Sequence, residues 1–236
     1  MPPIKRLTIV TGHYGCGKTN LSLNLALDAA STGERVTLVD LDVVNPYFRS
    51  SDHGPMLAER GVKLIAPNFA GTTLDTPSLP AAVSSAFGAE GLVIFDVGGD
   101  DAGATALGRY AGDVGALDYD LLYVVNRYRN LTSTAEEAAA LLGEIESASH
   151  LKATGVVNNS HLAKDTTVAT VLDSLEFADA AARQLGLPLR FTTVPRALAS
   201  EFGSTPGDAT FVPNPYPVNV YVRAPWDEAP GTDEEV

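Results

Sequence analysis

The most constraining feature of this chain is a G-x-x-x-x-G-K-T pattern at residues 12–19, which follows an apolar run at residues 7–11 and leads into a helical pattern. Glycines let the backbone turn tightly and aim its N–H groups inward, and the positive end of a helix attracts an anion. A lysine at this spacing reaches nucleotide phosphates, and the adjacent threonine hydroxyl ligates Mg²⁺. A glycine-rich turn that merely joins a strand to a helix is the alternative, but the complete spacing favours phosphate binding. The predicted nucleotide contacts are Gly12, His13, Tyr14, Gly15, Cys16, Gly17, Lys18, Thr19 and Asn20.

Short β-branched runs alternate with longer helical patterns along the rest of the chain. The predicted strands cover residues 7–11, 35–40, 62–66, 91–96, 121–126, 153–158, 189–194 and 218–222. The predicted helices cover residues 19–31, 80–87, 102–111, 133–149 and 168–186. This alternation predicts an α/β fold, a three-layer, doubly wound and mainly parallel sheet of about seven to eight strands. The glycine-rich pattern after its first strand is typical of a P-loop NTPase fold.

The length and composition suit one sizeable domain, since 45% of the 236 residues are hydrophobic and 19% are charged. We expect residues 1–223 to form a single nucleotide-binding domain. Residues 224–236 are rich in Asp, Glu, Pro and Gly, so we expect an acidic, disordered tail there. Because no apolar stretch approaches the roughly 20 residues of a membrane span and no signal-peptide core is present, we expect a cytoplasmic protein.

The charge balance narrows the expected partners. The chain has 16 Lys and Arg against 29 Asp and Glu, a formal net charge of −13, which argues against broad nucleic-acid binding. Its acidic C-terminal end would be repelled by anionic lipid, so we expect no membrane binding. Cys16 is the single cysteine, which excludes an internal disulfide. We interpret it as a small residue that lets the backbone approach phosphate rather than as a nucleophile.

Three acidic residues end two of the predicted strands. Asp40 and Asp42 should lie on the same side of their strand and face the crevice beside the glycine-rich loop. We predict a catalytic role for Lys18 and for Asp42, with Asp40 as the alternative carboxylate, and Asp42 also as a metal ligand. Asp96 ends an apolar strand and is the predicted partner of Mg²⁺, together with Thr19.

A glycine pair follows the strand that ends in Asp96. Gly98 and Gly99 would permit a loop that moves when the γ-phosphate is present or absent. Asp100 and Asp101 either face a substrate or cap the following helix.

Together these segments resemble the deviant-Walker P-loop ATPases, which include the MinD and ParA partition proteins, dethiobiotin synthetase and the nucleotide-binding domains of the CobQ and CobB type. The resemblance covers roughly residues 5 to 200. It implies that Asn158 reads adenine, with Asn159 as the second choice, and that Pro195 lies in a loop beside the base. An Asn after a strand can also be a turn residue.

One departure from the resemblance concerns the dimer. In the partition ATPases, a signature lysine after the first glycine of the loop reaches across a homodimer to the partner's nucleotide. This chain has His13 there, and a neutral imidazole supplies no fixed cation. His13 therefore argues against a nucleotide-sandwich homodimer with mutual lysine activation and favours the smaller synthetases of the group, while a homodimer as such stays open.

Two uses of the nucleotide remain open at this stage. The first is a Mg²⁺-dependent ATPase that binds ATP and ADP and acts as a switch on an unidentified protein client. The second is an ATP-dependent ligase or kinase that activates a carboxylate on a small anionic substrate, as dethiobiotin synthetase does. Arg49, Arg127 and Arg129 are candidate clamps for such an anion.

Overall fold

The computed structural model describes residues 1–42, 49–66, 82–99, 101–130 and 132–222. Eight strands lie in this part of the chain: β1 Leu7–Gly12, β2 Val36–Leu41, β3 Val62–Ile65, β4 Leu92–Val97, β5 Tyr119–Val125, β6 Gly155–Asn158, β7 Leu189–Pro195 and β8 Pro215–Val218. The α-helices of the same part are α1 Lys18–Ser31, α2 Gly54–Glu59, α3 Ala82–Ala86, α4 Asp101–Gly108, α5 Ala111–Gly115, α6 Ala135–Ser149, α7 Val168–Asp173 and α8 Leu175–Leu185.

The strands form one sheet in the order β3-β2-β4-β1-β5-β6-β7-β8. Every paired neighbour is parallel, so the prediction of a mainly parallel sheet is confirmed and the described strands are parallel throughout. The chain leaves β1 toward one edge of the sheet, returns through β4 and then continues from β5 toward the other edge. Ligands in such sheets collect where the strand order reverses, outside the carboxyl ends of the strands. The glycine-rich loop follows β1 and lies at that point.

Helices cover both faces of the sheet, which confirms the three-layer, doubly wound architecture. One core contains alternate residues of β4, such as Phe95, packed with α4, α6 and α8. The opposite core contains the intervening residues, such as Ile94, packed with α1 and α2. Because both faces of each central strand are buried, the strands read as continuous apolar runs.

The C-terminal half differs from the predicted elements in two places. The helix predicted over residues 168–186 is two helices, because Ser174 interrupts it between α7 and α8. The strand predicted over residues 218–222 ends where it was expected to begin, since β8 covers Pro215–Val218. The following residues instead bind the side chains of Asn20 and Asn24 on α1.

Some predicted features lie outside the described residues. These are the acidic tail at 224–236, Asp100 and the first two residues of the helix predicted to begin at residue 80.

Candidate functional site

The loop between β1 and α1 is packed against the ends of β5 and β6. Gly17 precedes α1 with a positive φ of 86°. A methyl group on Gly17 would lie 2.4 Å from the amide nitrogen of Asn159 and 2.8 Å from Nε2 of His161, so only glycine fits. The predicted loop thus has the strand, the helix and the glycine that a phosphate cradle requires.

Lys18 spans the loop from the first turn of α1. Its side chain is buried, and Nζ donates to the His13 carbonyl oxygen at 3.0 Å. The ammonium group is thereby held at the start of the loop, and in this motif the lysine contacts phosphate oxygens. His13 Nδ1 lies 2.9 Å from the Tyr14 carbonyl oxygen, and the Tyr14 side chain is exposed.

Asp96 lies at the end of β4 beneath the loop and is fully buried. Its carboxylate accepts hydrogen bonds from Ser50 Oγ at 2.7 Å and Ser22 Oγ at 3.3 Å, and it also interacts with the Thr19 hydroxyl. Burial, followed by the nearby Asp40 charge, raises the pKa of Asp96 to about 7.

Asp40 lies in β2 and Asp42 directly follows it, and the two carboxylates have different surroundings. Asp40 is paired with Asp96 in the register of β2 and β4, and burial raises its pKa. Its two carboxylate oxygens accept the backbone N–H groups of Asp42 and Ser51, at 3.0 and 2.9 Å. Asp40 thus holds the backbone at both residue 42 and residue 51. Asp42 Oδ1 instead lies close to Gly98 after β4.

The glycine pair after β4 touches the loop. A methyl group on Gly99 would lie 2.5 Å from the Tyr14 nitrogen and 2.6 Å from Lys18 Nζ. One on Gly98 would lie 3.1 Å from Asp42 Oδ1. The segment after β4 is therefore in direct contact with the loop lysine on one side and with the end of β2 on the other.

The ends of β5, β6 and β7 carry a buried network of amides and hydroxyls. Asn158 Oδ1 accepts from the nitrogen and hydroxyl of Ser160, and its Nδ2 donates to Ser174 Oγ at 2.9 Å. Asn159 Nδ2 donates to the Cys16 carbonyl at 2.7 Å, and its Oδ1 accepts from Thr193 Oγ1. Both amides are thus engaged within the protein, and base recognition by Asn158 or Asn159 stays a prediction.

Two other predicted nucleotide contacts, Asn20 and Pro195, lie in segments that hold other parts of the chain against α1. Asn20 Oδ1 accepts the backbone N–H of Tyr221, so its amide holds the C-terminal segment against α1. Pro195 ends β7, and the neighbouring Arg196 forms an ion pair with Asp28 of α1 at 3.0 Å. The loop after β7 is therefore fixed to the helix that begins at the glycine-rich loop.

Two residues of the loop region bear on its electrostatics. Burial raises the pKa of the Cys16 thiol, which fits the interpretation of Cys16 as a packing residue. Burial, and secondarily the Arg129 charge, lowers the pKa of His161 to about 4. Because His161 Nδ1 accepts the Ala163 N–H, the neutral ring carries its proton on Nε2, next to Gly17.

The sequence did not single out three residues that the structure brings to the site. They are Ser22 and Ser50, which bind Asp96, and His161, which lies against Gly17. Ser22 is one helical turn after Lys18, so its place was within reach of sequence reasoning. Ser50 and His161 come from distant loops with no local signal.

A comparison with protein-family models assigns the chain to a family. The model described as the CobQ/CobB/MinD/ParA nucleotide binding domain matches residues 7–189. The chain belongs to the CobQ/CobB/MinD/ParA family. This confirms the resemblance seen in the sequence, and the match begins at β1 and ends at the start of β7.

Individual proteins also match parts of the chain. The chain is 46% identical to the antiactivator FleN of Pseudomonas aeruginosa over 43 residues, which are 18% of this chain and 15% of FleN. Crystal structures of FtsY from Thermotoga maritima and of the signal recognition particle 54 kDa protein from Aeropyrum pernix, the latter in complex with GDP, match with TM-scores of 0.57 and 0.52. Each is 19% identical; the matches cover 82% and 80% of this chain but 63% and 42% of those chains.

These structural matches show the shared P-loop fold alone. The chain spans less than two thirds of the length of FleN and of both matched structures. In the part of the chain that the structure describes, no helix is both long and apolar enough to cross a bilayer.

Proposed function

We propose that this family member binds Mg²⁺-ATP at residues 12–19, hydrolyses it, and uses the change to switch its affinity for a protein client. The observation that carries the proposal is the close approach of Gly99 to Lys18 Nζ and the Tyr14 nitrogen, which leaves no room for a methyl group at residue 99. A γ-phosphate held by Lys18 lies beside Gly98 and Gly99, so its presence or loss acts directly on the segment that leads into α4. In this proposal, residues 1–223 work as one domain.

The residues beneath the loop fit a magnesium ion. Within the described residues, no group of three or more His, Cys, Asp or Glu side chains is arranged to hold a metal. Mg²⁺ does not need such a group, because it takes one or two protein oxygens together with waters and phosphate oxygens. Thr19 and Asp96, which already interact through hydroxyl and carboxylate, are the residues that would hold it, and Asp42 is the third ligand in this proposal. The ion would neutralise charge that develops on the phosphates.

The remaining roles in hydrolysis follow from position. Asp42 orients the attacking water in this proposal, because it directly follows β2 and its carboxylate lies close to Gly98, which follows β4. Asp40 keeps the backbone of residue 42 in place through its hydrogen bond to that N–H group. Lys18 binds the phosphates and stabilises the charge that forms on them in the transition state.

The experiment compares Gly99→Ala with Gly143→Ala, because a methyl group at Gly143 meets no atom within 4 Å. In the wild type, hydrogen exchange of residues 92–103 should differ between the complexes with ADP and with a non-hydrolysable ATP analogue. Gly99→Ala should abolish this difference and slow hydrolysis by about tenfold or more, since it separates the segment from the loop. Gly143→Ala should retain both properties.

Two outcomes would contradict the switch. One is wild-type protein whose exchange is the same with ADP and with the ATP analogue. The other is hydrolysis that requires an added small carboxylate, which would indicate the ligase or kinase instead.

A further inference from the structure

Two arginines that follow β5 point in different directions. Arg127 Nη1 donates to the Asp173 carbonyl oxygen at the end of α7, away from the glycine-rich loop. Arg129 Nε donates to the Gly15 carbonyl oxygen, within that loop, at 2.8 Å. The residues are two positions apart and both are exposed, so the chain offers a matched pair with one arginine at the loop and one elsewhere.

A turn fixes the backbone that carries Arg129. The carbonyl oxygen of Asn126 accepts the Arg129 N–H at 3.2 Å. The buried Asn126 side chain accepts the N–H of Tyr128 and binds the backbone of His161 on the neighbouring loop. This asparagine turn holds residues 126–129 in one conformation. The Cα atom of Arg129, from which the side chain extends to the loop, is therefore held in a fixed position.

The guanidinium group of Arg129 lies directly over Gly15. A methyl group on Gly15 would be 3.4 Å from Nε and 3.6 Å from Cζ of Arg129. Among the described residues, the Gly15 carbonyl is the single hydrogen-bond partner of this side chain, and it uses Nε alone. The two Nη groups keep four N–H donors at the edge of the loop, in the planar arrangement that suits phosphate oxygens.

Fixed positive charge is scarce around this loop. Lys18 is the cation inside it, and the chain as a whole has a net charge of −13. His161, which also touches the loop, is neutral at pH 7 because its pKa is lowered to about 4. A guanidinium remains charged at any physiological pH. Arg129 thus adds a permanent cation at a loop that is expected to bind a highly charged anion.

We propose that Arg129 is a phosphate-binding residue of this site, which contributes through its Nη groups a second fixed cation for the polyphosphate chain of the nucleotide. The inference rests on the proposed nucleotide binding at residues 12–19. It assigns Arg129 to the phosphates rather than to a separate anionic substrate, and it assigns Arg127 to neither.

The test measures binding of inorganic tripolyphosphate and of Mg²⁺-ATP by calorimetry at several salt concentrations. Arg129→Gln keeps a hydrogen-bond donor for Gly15 but removes the charge, while Arg129→Lys keeps the charge. We expect Arg129→Gln to weaken both ligands by about tenfold and to reduce the salt dependence of binding. Arg129→Lys should recover part of the affinity, and Arg127→Gln should stay within about twofold of the wild type.

Three results would overturn the inference. The first is wild-type affinity in Arg129→Gln, and the second is an equal loss of affinity in Arg129→Gln and Arg127→Gln. The third is a loss in Arg129→Gln with unchanged salt dependence, which would mean that Arg129 only positions the loop. Each variant is checked for its unfolding temperature, so that a folding defect is separated from lost binding. Failure of the underlying function looks different. In that case the wild type itself binds neither ligand. If the wild type binds both ligands and Arg129→Gln binds them equally tightly, only the role of Arg129 is refuted.

Discussion

The two sides of the glycine-rich loop are built from different chemistry. On the side of β2 and β4, which we call the carboxylate side, Asp40, Asp42 and Asp96 are buried, and the Lys18 charge acts on Asp96. On the side of β5 and β6, which we call the amide side, Asn126, Asn158 and Asn159 form neutral hydrogen bonds with backbone and hydroxyl groups.

The difference indicates a division of work. Burying a carboxylate costs free energy unless a proton or a cation compensates its charge. Binding of a metal ion with its phosphates would therefore change the energetics of the carboxylate side strongly. Buried amides that are fully hydrogen-bonded instead hold a single arrangement. In the proposed ATPase cycle, the carboxylate side would change while the amide side keeps the loop in place.

The largest expected effect is the loss of Lys18 from the carboxylate side. Lys18→Ala should weaken Mg²⁺-ATP binding by about 10²-fold, because charge-assisted hydrogen bonds to phosphate are lost. Calorimetry and an unfolding curve on the same sample measure affinity and foldedness together. A folded Lys18→Ala protein with unchanged affinity would mean that the nucleotide does not bind at this loop.

Asp42 separates chemistry from binding on the same side. Asp42→Asn keeps the shape of the side chain but removes its charge, so hydrolysis should fall by about 10²-fold while ATP affinity changes only a few-fold. Steady-state phosphate release measures the rate. Asp40→Asn is the comparison: its amide would face one of the two N–H donors that Asp40 accepts, so it should lower the unfolding temperature. Wild-type turnover in both variants would make the paired carboxylates structural.

Base selectivity tests the amide side. If Asn158 reads adenine by exchanging its bond to Ser174, ATP should be preferred over GTP by about tenfold, the value of one bidentate contact. Asn158→Ala should remove that preference and also destabilise the fold. Competition binding with both nucleotides gives the ratio. Equal affinities of the wild type for ATP and GTP would restrict Asn158 to its hydrogen bonds inside the protein.

The smallest expected effect concerns pH and His161. Its pKa lies at about 4 in the folded chain, below the ordinary value of 6.5. The unfolded chain therefore takes up the proton first, and the stability that the neutral ring provides at pH 7 is lost as the pH falls from about 6.5 to 4. His161→Gln cannot take up this proton, so its stability should fall less over that range, by on the order of 1–2 kcal/mol. Urea unfolding at a series of pH values measures the difference. Parallel pH profiles would show that His161 is not buried against the loop.

Much of the fold followed from local sequence. The helix predicted over residues 19–31 is Lys18–Ser31, and the sheet is parallel, because buried apolar runs and the glycine-rich pattern are local signals. The missed features depend on distant contacts. Asn20 and Asn24 bind residues about 195 positions away in the chain, which stops the last strand early.

For the site, the residues in local motifs were predicted, whereas the contacts between distant segments were not. Asp40, Asp42 and Asp96 were expected at strand ends and Lys18 in the glycine-rich loop. The structure pairs Asp40 with Asp96 across neighbouring strands, and the Lys18 charge acts on Asp96. The hydroxyl of Ser50 on Asp96 and the guanidinium of Arg129 on Gly15 join segments that are 46 and 114 residues apart. No periodicity or motif reports such contacts, because they depend on how loops fold back over the sheet.

The most direct measurement of the central claim is an experimental structure with Mg²⁺ and a non-hydrolysable ATP analogue. The account predicts the triphosphate inside residues 12–19, with Lys18 Nζ on its phosphates, the metal at Thr19 and Asp96, and Gly99 beside the γ-phosphate. A nucleotide bound elsewhere on the protein, or a triphosphate that contacts neither Lys18 nor the segment after β4, would contradict it.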